Sequence, residues 1–245
     1  MLSRIRVVLV GTTHPGNIGA AARAMKTMCL SRLHLVSPEK YPCAEATARA
    51  SGADDVLAQA QVHDSLDAAL AGCSLVFGAS ARRRTIQWPE VDPRECAALA
   101  LAESAAGEVA LVFGREHSGL TNAELERCHY LLHIPSNPDY SSLNLAAAVQ
   151  VIAYEVMMAG DRPAAPAVEE PPDRVTAAEM EKFYDHLQQT LFDIAFLDPA
   201  NPRQLMRRLR RLFNRVQLDR NEYNILRGIL TETQKKTGVE EPSNS

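Results

Sequence analysis

Short apolar segments alternate with segments of helical periodicity throughout residues 1–160, and this alternation constrains the fold more than any other feature of the chain. Near-continuous apolar content, which is typical of strands buried on both faces of a sheet, occurs at residues 5–11, 33–37, 74–80, 108–114 and 130–135. Helical spacing occurs at residues 18–28, 65–71, 94–105, 121–127 and 143–159. The sequence therefore predicts an α/β domain over residues 1–160, with a mostly parallel sheet flanked by helices.

A second, smaller unit follows a predicted linker. Residues 160–172 read GDRPAAPAVEEPP and lack apolar periodicity, which indicates a linker over residues 161–175. Residues 176–192 then carry apolar side chains at helical spacing, and Thr176 with Glu179 forms a potential capping box, as does Thr121 with Glu124 in the first unit. Further helical segments at 202–212 and 221–235 complete a predicted helical extension over residues 176–245.

Basic residues are concentrated in this extension. The formal net charge of the 245-residue chain is −4, which would argue against a nucleic-acid partner if the charge were evenly spread. Between positions 203 and 227, however, only Asp219 and Glu222 accompany eight arginines, at positions 203, 207, 208, 210, 211, 215, 220 and 227. This local excess of positive charge favours contact with the phosphates of a nucleic acid.

The remaining composition excludes several classes of protein. The five cysteines are scattered and never form a CxxC pair, which predicts reduced thiols in a cytoplasmic protein. The apolar run at residues 7–10 is too short for a signal peptide, and no run approaches the roughly 20 residues of a membrane span. The seven histidines show no metal-ligand spacing and no serine lies in a GxSxG motif, so we expect neither a metal site nor a serine nucleophile.

Candidate site residues begin in the loop after the first strand, at positions 11–19. A strand followed by a helix start attracts anions, but the glycine spacing matches neither the dinucleotide nor the P-loop fingerprint. Asn17 is interpreted either as the helix N-cap or as a functional residue. Arg23 lies among alanines on an otherwise apolar helix, where an unpaired buried charge would be costly. It therefore either pairs with a carboxylate or faces a cleft that receives phosphate.

Three further loops follow strands in the same way. Residues 78–84 read GASARRR, which indicates a pocket bordered by an anion site, or alternatively a solvated basic loop. Residues 113–120 and 134–145 combine turn formers with helix starts, so their free backbone groups could bind a flat heterocycle. Taken singly, Glu116 could be a structural ion-pair partner and Ser142 a second N-cap, but these alternatives leave the repeated placement after strands unexplained.

Three strings together carry a family resemblance: HPGNIGAAARAMKTM at 14–28, LVFGREHSGLTNAEL at 111–125 and IPSNPDYSSLNLAAAVQVIAYE at 134–155. With them the chain resembles the SPOUT superfamily of knotted methyltransferases, in its SpoU-like ribose 2′-O branch and the TrmJ-type tRNA enzymes. One departure is Cys29, where the resemblance leads us to expect glycine after the methionine. The resemblance implies a deep trefoil knot, a rare exception to unthreaded connections. It also implies S-adenosylmethionine as cofactor, a homodimer, and the 2′-hydroxyl of a cytidine or uridine at position 32 of the tRNA anticodon loop as target.

The resemblance also assigns residues. The implied catalytic set is Arg23, Ser142, Asn17 and Glu116, with Arg23 and, as a second candidate, Ser142 of one subunit near the cofactor of the other. The implied cofactor-binding set is Ala79, Ser80, Ala81, Gly114, Ile134, Ser141, Ser142, Leu143 and Asn144. The basic loop and the extension supply the expected RNA contacts, at Arg82, Arg83, Arg84, Arg207, Arg208 and Arg211. Two alternatives stay open: a knotted enzyme that modifies another RNA site or a base, and a non-catalytic protein that binds RNA or a nucleotide.

Overall fold

The structure, a computed structural model, describes residues 1–81, 88–160, 173–200 and 204–238. These residues form a seven-stranded sheet in the order β3-β2-β1-β6-β4-β7-β5, and every neighbouring pair of strands is parallel. The strands are β1 (Ile5–Val10), β2 (Arg32–Val36), β3 (Gln61–His63), β4 (Cys73–Ala79), β5 (Glu90–Val91), β6 (Glu108–Phe113) and β7 (Tyr130–Leu132). All five predicted strands and the parallel α/β arrangement are confirmed.

Helices cover both faces of the sheet. The helices of this domain are α1 (Pro15–Thr27), α2 (Ala44–Ala50), α3 (Asp54–Ala58), α4 (Leu66–Leu70), α5 (Pro93–Glu103), α6 (Asn122–Leu125) and α7 (Leu145–Gly160). Alternate residues of β1 divide between two cores. Val7 packs in one core with Ile18 of α1 and Ile152 of α7, whereas Val8 packs in the other with Leu66 of α4 and Leu125 of α6. Burial on both faces explains why the central strands are continuously apolar.

The edge strands were not predicted. β3 and β5 contain three and two residues and lie at opposite edges of the sheet. Segments this short carry no readable periodicity, so their pairing depends on the neighbouring strand. α2 and α3, of seven and five residues, were also missed. Unlike the equally short α4 and α6, neither begins with a side-chain cap.

The extension forms three helices with a core of their own, α8 (Ala177–Asp193), α9 (Leu205–Val216) and α10 (Arg220–Thr237). Phe183, Tyr184 and Leu230 are among its buried residues. The Thr176–Glu179 capping box is present, as is the Thr121–Glu124 box of α6. The helix predicted at 202–212 ends later, at Val216, and most of the predicted linker lies outside the described residues. No described helix has the length and apolarity required to cross a membrane.

Candidate active site

A pocket of about 370 Å³ opens at the carboxyl ends of β4, β6 and β7, beside the start of α7. In open parallel sheets this edge is where ligands bind. Eight of the nine residues expected to bind the cofactor line this pocket: Ala79, Ser80, Ala81, Gly114, Ile134, Ser141, Ser142 and Leu143. They come from three loops separated in sequence, so the fold brings together what the resemblance implied.

The lining combines apolar surface with polar groups. Phe113, Leu132 and Leu145 supply the apolar part, and serines and the charged Arg115 and Glu116 supply the polar part. A volume of several hundred Å³ with a few polar groups suits a ligand that has a flat heterocycle and a polar tail. S-adenosylmethionine has this composition, so the residues present fit the implied cofactor.

Gly114 is required by the close approach of its own loop. A Cβ at this position would lie 2.2 Å from the carbonyl carbon of Gly119 and 2.3 Å from the nitrogen of Leu120. The loop is closed by two backbone hydrogen bonds between Arg115 and Gly119, of 3.3 and 2.9 Å. Any side chain at Gly114 would therefore push this wall of the pocket apart.

Glu116 holds the amino-terminal end of α1. Its carboxylate accepts hydrogen bonds from the backbone N–H groups of Thr13 at 3.1 Å and His14 at 3.2 Å, and from the Asn17 amide at 2.9 Å. Burial by itself raises the pKa of Glu116, but the hydrogen bonds from Asn17 and the backbone outweigh it and lower this pKa to about 2. Glu116 is therefore ionised at neutral pH, and it joins the pocket to α1.

The interpretation of Asn17 as an N-cap is wrong. α1 begins at Pro15 with His14 as its N-cap, so Asn17 lies within the first turn. Its amide instead joins Glu116 to Asn144, whose Nδ2 donates to Asn17 Oδ1 at 3.0 Å. The cap prediction failed because proline is favoured at the first helical position. Pro15 therefore marks the start of α1, and this signal outweighs the preference of asparagine for the cap.

Asn144, not Ser142, caps α7. Its side-chain oxygen accepts from the backbone nitrogens of Ala146 at 2.9 Å and Ala147 at 3.4 Å. The alternative interpretation of Ser142 as an N-cap is therefore wrong, and Ser142 lies exposed in the pocket. Asn144 itself does not line the pocket, and its side chain joins the start of α7 to Asn17 of α1.

Arg23 lies on the exposed face of α1, opposite the buried Ala21, Ala22 and Ala24. No hydrogen bond or ion pair joins it to any residue in the described part of the chain, and it does not line the pocket. The ion-pair interpretation thus finds no support within the described residues. α1 is amphipathic, which explains why alanines surround Arg23 in the sequence. The alanines are buried in the core between α1 and the sheet, whereas Arg23 points to solvent.

The expected RNA contacts fall into three groups. Arg82, Arg83 and Arg84 lie outside the described residues. Arg207 forms an ion pair with Glu126 and so is already engaged within the chain. Arg208 is exposed and Arg211 is half-buried, and neither forms an ion pair with another described residue.

Sequence reasoning missed several residues of the site. Arg115 lines the pocket and binds Glu124 of α6 through two hydrogen bonds of 3.0 and 3.1 Å. His117 and Tyr140 lie at the pocket as well, and Tyr140 is 81% exposed. All three belong to the strings that carried the resemblance, but their roles depend on loop geometry that the sequence does not show.

Comparison with known proteins matches both units of the chain. Residues 4–154 match the SpoU rRNA Methylase family, and residues 178–242 match the C-terminal domain of tRNA methyltransferase TrmJ. The chain is 59% identical to the tRNA (cytidine/uridine/adenosine-2′-O-)-methyltransferase TrmJ of Pseudomonas aeruginosa, over 96% of this chain and 95% of that protein. It is 55% identical to the tRNA (cytidine/uridine-2′-O-)-methyltransferase TrmJ of Klebsiella pneumoniae, over 96% and 98%.

A solved structure agrees with these relatives. The crystal structure of TrmJ from Z. mobilis matches with a TM-score of 0.82 at 32% identity, and the match covers 94% of this chain and 98% of that one. The predicted fold, a SPOUT-type methyltransferase domain with a C-terminal helical extension, is thereby confirmed. The chain therefore belongs to the SpoU branch of the SPOUT superfamily, as a TrmJ-type tRNA 2′-O-methyltransferase.

Proposed function

We propose that this enzyme transfers a methyl group from S-adenosylmethionine to the 2′-hydroxyl of nucleotide 32 in the anticodon loop of tRNA. The observation that carries the cofactor assignment is the convergence of Ala79, Gly114, Ile134 and Leu143, from separate loops, on one pocket. The choice of position 32 and of cytidine or uridine rests on the family resemblance. The Pseudomonas aeruginosa relative also carries adenosine in its name, so the range of bases is part of the test.

Methyl transfer requires that the ribose 2′-hydroxyl be aligned with the methyl group and that the hydroxyl lose its proton. S-adenosylmethionine would supply an electrophilic methyl group to the ribose oxygen and leave as S-adenosylhomocysteine, and the hydroxyl proton would pass to a nearby base or to solvent. The chain's residues must hold the hydroxyl in line with that methyl. We assign this task to Arg23 and Ser142. A guanidinium stays protonated, so Arg23 orients the hydroxyl beside a bound phosphate, or acts as a weak base only if that phosphate and burial change its environment.

Asn17, Glu116 and Asn144 have a supporting role in this proposal. Their hydrogen bonds link the pocket wall to the starts of α1 and α7. Since Arg23 is carried by α1, a shift of the first turn would move it as well. The ionised Glu116 thus contributes by holding α1 in place, and its low pKa makes it unsuited to accept a proton at neutral pH.

A homodimer would bring Arg23 of one copy to the cofactor pocket of the other. Arg23 lies outside the pocket of its own chain, so we infer that it serves the pocket of a second copy. Apolar side chains on α7 and at its start support such an interface, since Leu143, Tyr154 and Met158 are each at least 40% exposed. We infer that the copies pack through this face.

The extension completes the proposal as an RNA-binding unit joined by the linker at 161–175. Arg208 is exposed on α9, and Arg211 is half-buried one turn after Arg207. Neither forms an ion pair with another described residue, whereas Arg207 is engaged by Glu126. We infer that Arg208 and Arg211 contact phosphates of the RNA, and the same role is proposed for Arg82, Arg83 and Arg84, which lie outside the described residues.

The test is incubation of the purified protein with methyl-labelled S-adenosylmethionine and total tRNA, followed by mapping of the labelled nucleotide. We expect a 2′-O-methylated pyrimidine at position 32, and inhibition by S-adenosylhomocysteine. A label at another position or on a base would support the first alternative. Binding of tRNA without any transfer would support a non-catalytic protein.

A further inference from the structure

α9 has two faces that do different work. Arg208 and Arg215 are exposed on one face, whereas Arg207 and Asn214 on the other contact the α/β domain. Asn214 is only 5% exposed, and its Nδ2 donates to the carbonyl oxygens of Glu126 at 3.1 Å and Cys128 at 3.4 Å. Its Oδ1 accepts from the Tyr184 hydroxyl at 2.6 Å. The Nδ2 end of the Asn214 amide thus joins the extension to the segment at residues 121–129, and the Oδ1 end anchors Asn214 to α8 within the extension.

This segment 121–129 contacts the pocket from two sides. On one side Glu124 binds Arg115, which lines the pocket. On the other side it packs beneath the end of β4, because a Cβ on Gly78 would lie 2.7 Å from Cys128 Sγ and 3.1 Å from Leu125 Cδ2. Gly78 directly precedes Ala79, a pocket residue. Both walls therefore depend on where the segment lies.

His129 strengthens the second connection. Its Nδ1 accepts from the backbone N–H of Val76 at 3.0 Å, and its own backbone N–H donates to the Val76 carbonyl at 2.9 Å. Burial, followed by the charge of Arg174, lowers the pKa of His129 to about 4, so the ring is neutral at pH 7. A neutral ring with Nδ1 as acceptor is the form that this hydrogen bond requires.

We propose that Asn214 and Arg207 are positioning residues for the cofactor pocket: by docking α9 on segment 121–129 they hold Arg115 and the end of β4 in the arrangement that binds S-adenosylmethionine. This inference rests on the proposed function, which supplies the identity of the ligand. It gives the extension a task besides RNA binding. The two faces of α9 then connect RNA contacts on one side with the cofactor pocket on the other.

The test measures S-adenosylhomocysteine affinity by calorimetry on the full chain without RNA. We expect Asn214→Ala and Arg207→Ala to weaken binding roughly fivefold to tenfold, at the lower end of coupling between two sites. Asn224→Ala and Arg215→Ala are matched controls on exposed positions of the same extension, and their affinities should equal that of the wild type. Arg207→Lys, which retains the charge opposite Glu126, should recover part of the loss.

A double-mutant cycle and hydrogen exchange separate positioning from general destabilisation. If Arg207 and Glu126 act as one unit, the Arg207→Ala/Glu126→Ala variant binds no more weakly than Arg207→Ala alone. Exchange should accelerate in residues 114–125 and stay unchanged in β1. Arg207 is partly exposed, so its variants keep the inference testable even if Asn214→Ala does not fold.

Two results would overturn the inference in distinguishable ways. If exchange shows that α9 has undocked while cofactor affinity equals that of the wild type, docking does not position the pocket, and the proposed function is untouched. If the wild-type protein itself binds no S-adenosylhomocysteine, the proposed function fails and this inference fails with it.

Discussion

The Asn144 amide donates a hydrogen bond to the side-chain oxygen of Asn17 at 3.0 Å, across 127 positions of sequence. The Glu116 carboxylate determines the direction of this contact. A carboxylate only accepts, so Asn17 must turn its Nδ2 toward Glu116 and its oxygen toward Asn144. Asn144 then has its own oxygen left to cap α7. The ionised Glu116 thus orients the starts of α1 and α7 and one wall of the pocket.

Substitutions at Asn144 can separate its two roles, which are to cap the start of α7 and to donate a hydrogen bond to Asn17. Asn144→Asp keeps an oxygen for the start of α7 but loses the donor to Asn17, whereas Asn144→Ala loses both. We expect the alanine variant to be destabilised by about 1 kcal/mol, the scale of a lost N-cap, while the aspartate variant melts near the wild-type temperature. Both should transfer methyl groups roughly tenfold more slowly in single turnover, the scale of one lost hydrogen bond. Wild-type turnover in Asn144→Asp would show that the bridge is dispensable.

Arg23 should matter for catalysis and little for folding. It is exposed, and no described residue pairs with it, so Arg23→Ala should change stability by less than about 0.5 kcal/mol. Methyl transfer should fall by a factor of ~100 or more, the scale of a lost charge-stabilising group. Arg23→Lys should fail almost as badly, because an ammonium cannot replace a planar guanidinium that holds phosphate and hydroxyl together. We would measure the melting temperature, cofactor affinity and single-turnover rate of each variant on the same preparation. A destabilised variant with normal turnover per folded molecule would contradict the catalytic role of Arg23.

Gly114→Ala should damage the pocket directly. The new methyl group would lie 2.2 Å from a backbone atom of Gly119, which cannot move aside as a flexible side chain would. We expect affinity for S-adenosylhomocysteine to drop at least tenfold, or about 1.4 kcal/mol. Gly228→Ala is the control, since a Cβ there meets nothing within 4 Å and lies within helix α10. The control should bind normally and be more stable by up to about 1 kcal/mol. Equal affinities of the two variants would disprove the steric argument.

Arginines of α9 with and without an ion-pair partner among the described residues should respond differently to salt. Arg208→Ala and Arg211→Ala should weaken tRNA binding and reduce its dependence on salt concentration, by a slope of about 1 for each lost phosphate contact. Because Arg207 is engaged with Glu126, Arg207→Ala should leave this salt slope largely unchanged. Filter binding of tRNA between low and moderate salt measures these slopes. Removal of residues 161–245 should abolish the whole contribution of the extension; an unchanged slope would assign the extension to dimer stability instead.

The buried His129 predicts a loss of stability in mild acid. Burial, then Arg174, lowers its folded pKa from 6.5 to about 4. The folded state therefore resists protonation, and its stability is complete above pH 6.5 and declines as the pH falls toward 4. The decline attributable to this residue is at most about 3 kcal/mol. Urea unfolding at pH 7.5 and pH 5 measures it, with His129→Gln as the comparison. If both proteins lose the same stability, His129 is not the group responsible.

Sequence alone determined those features that depend on neighbours along the chain. Continuous apolar runs predicted the five main strands, because a strand buried on both faces has no polar position to display. Capping boxes located the starts of α6 and α8, because their hydrogen bonds span only three residues. The family resemblance implied eight residues that do line one pocket.

Tertiary structure decided whatever depends on partners far away in sequence. Asn17 could equally have been a cap, and only the approach of Glu116 and Asn144 determines what its amide binds. Arg207 and Arg208 are adjacent and chemically identical. One is engaged by Glu126, 81 positions earlier, and the other is exposed to solvent, because a helix turns consecutive side chains toward different surroundings. That difference in surroundings, absent from any local pattern, separates a docking arginine from one that is available to RNA.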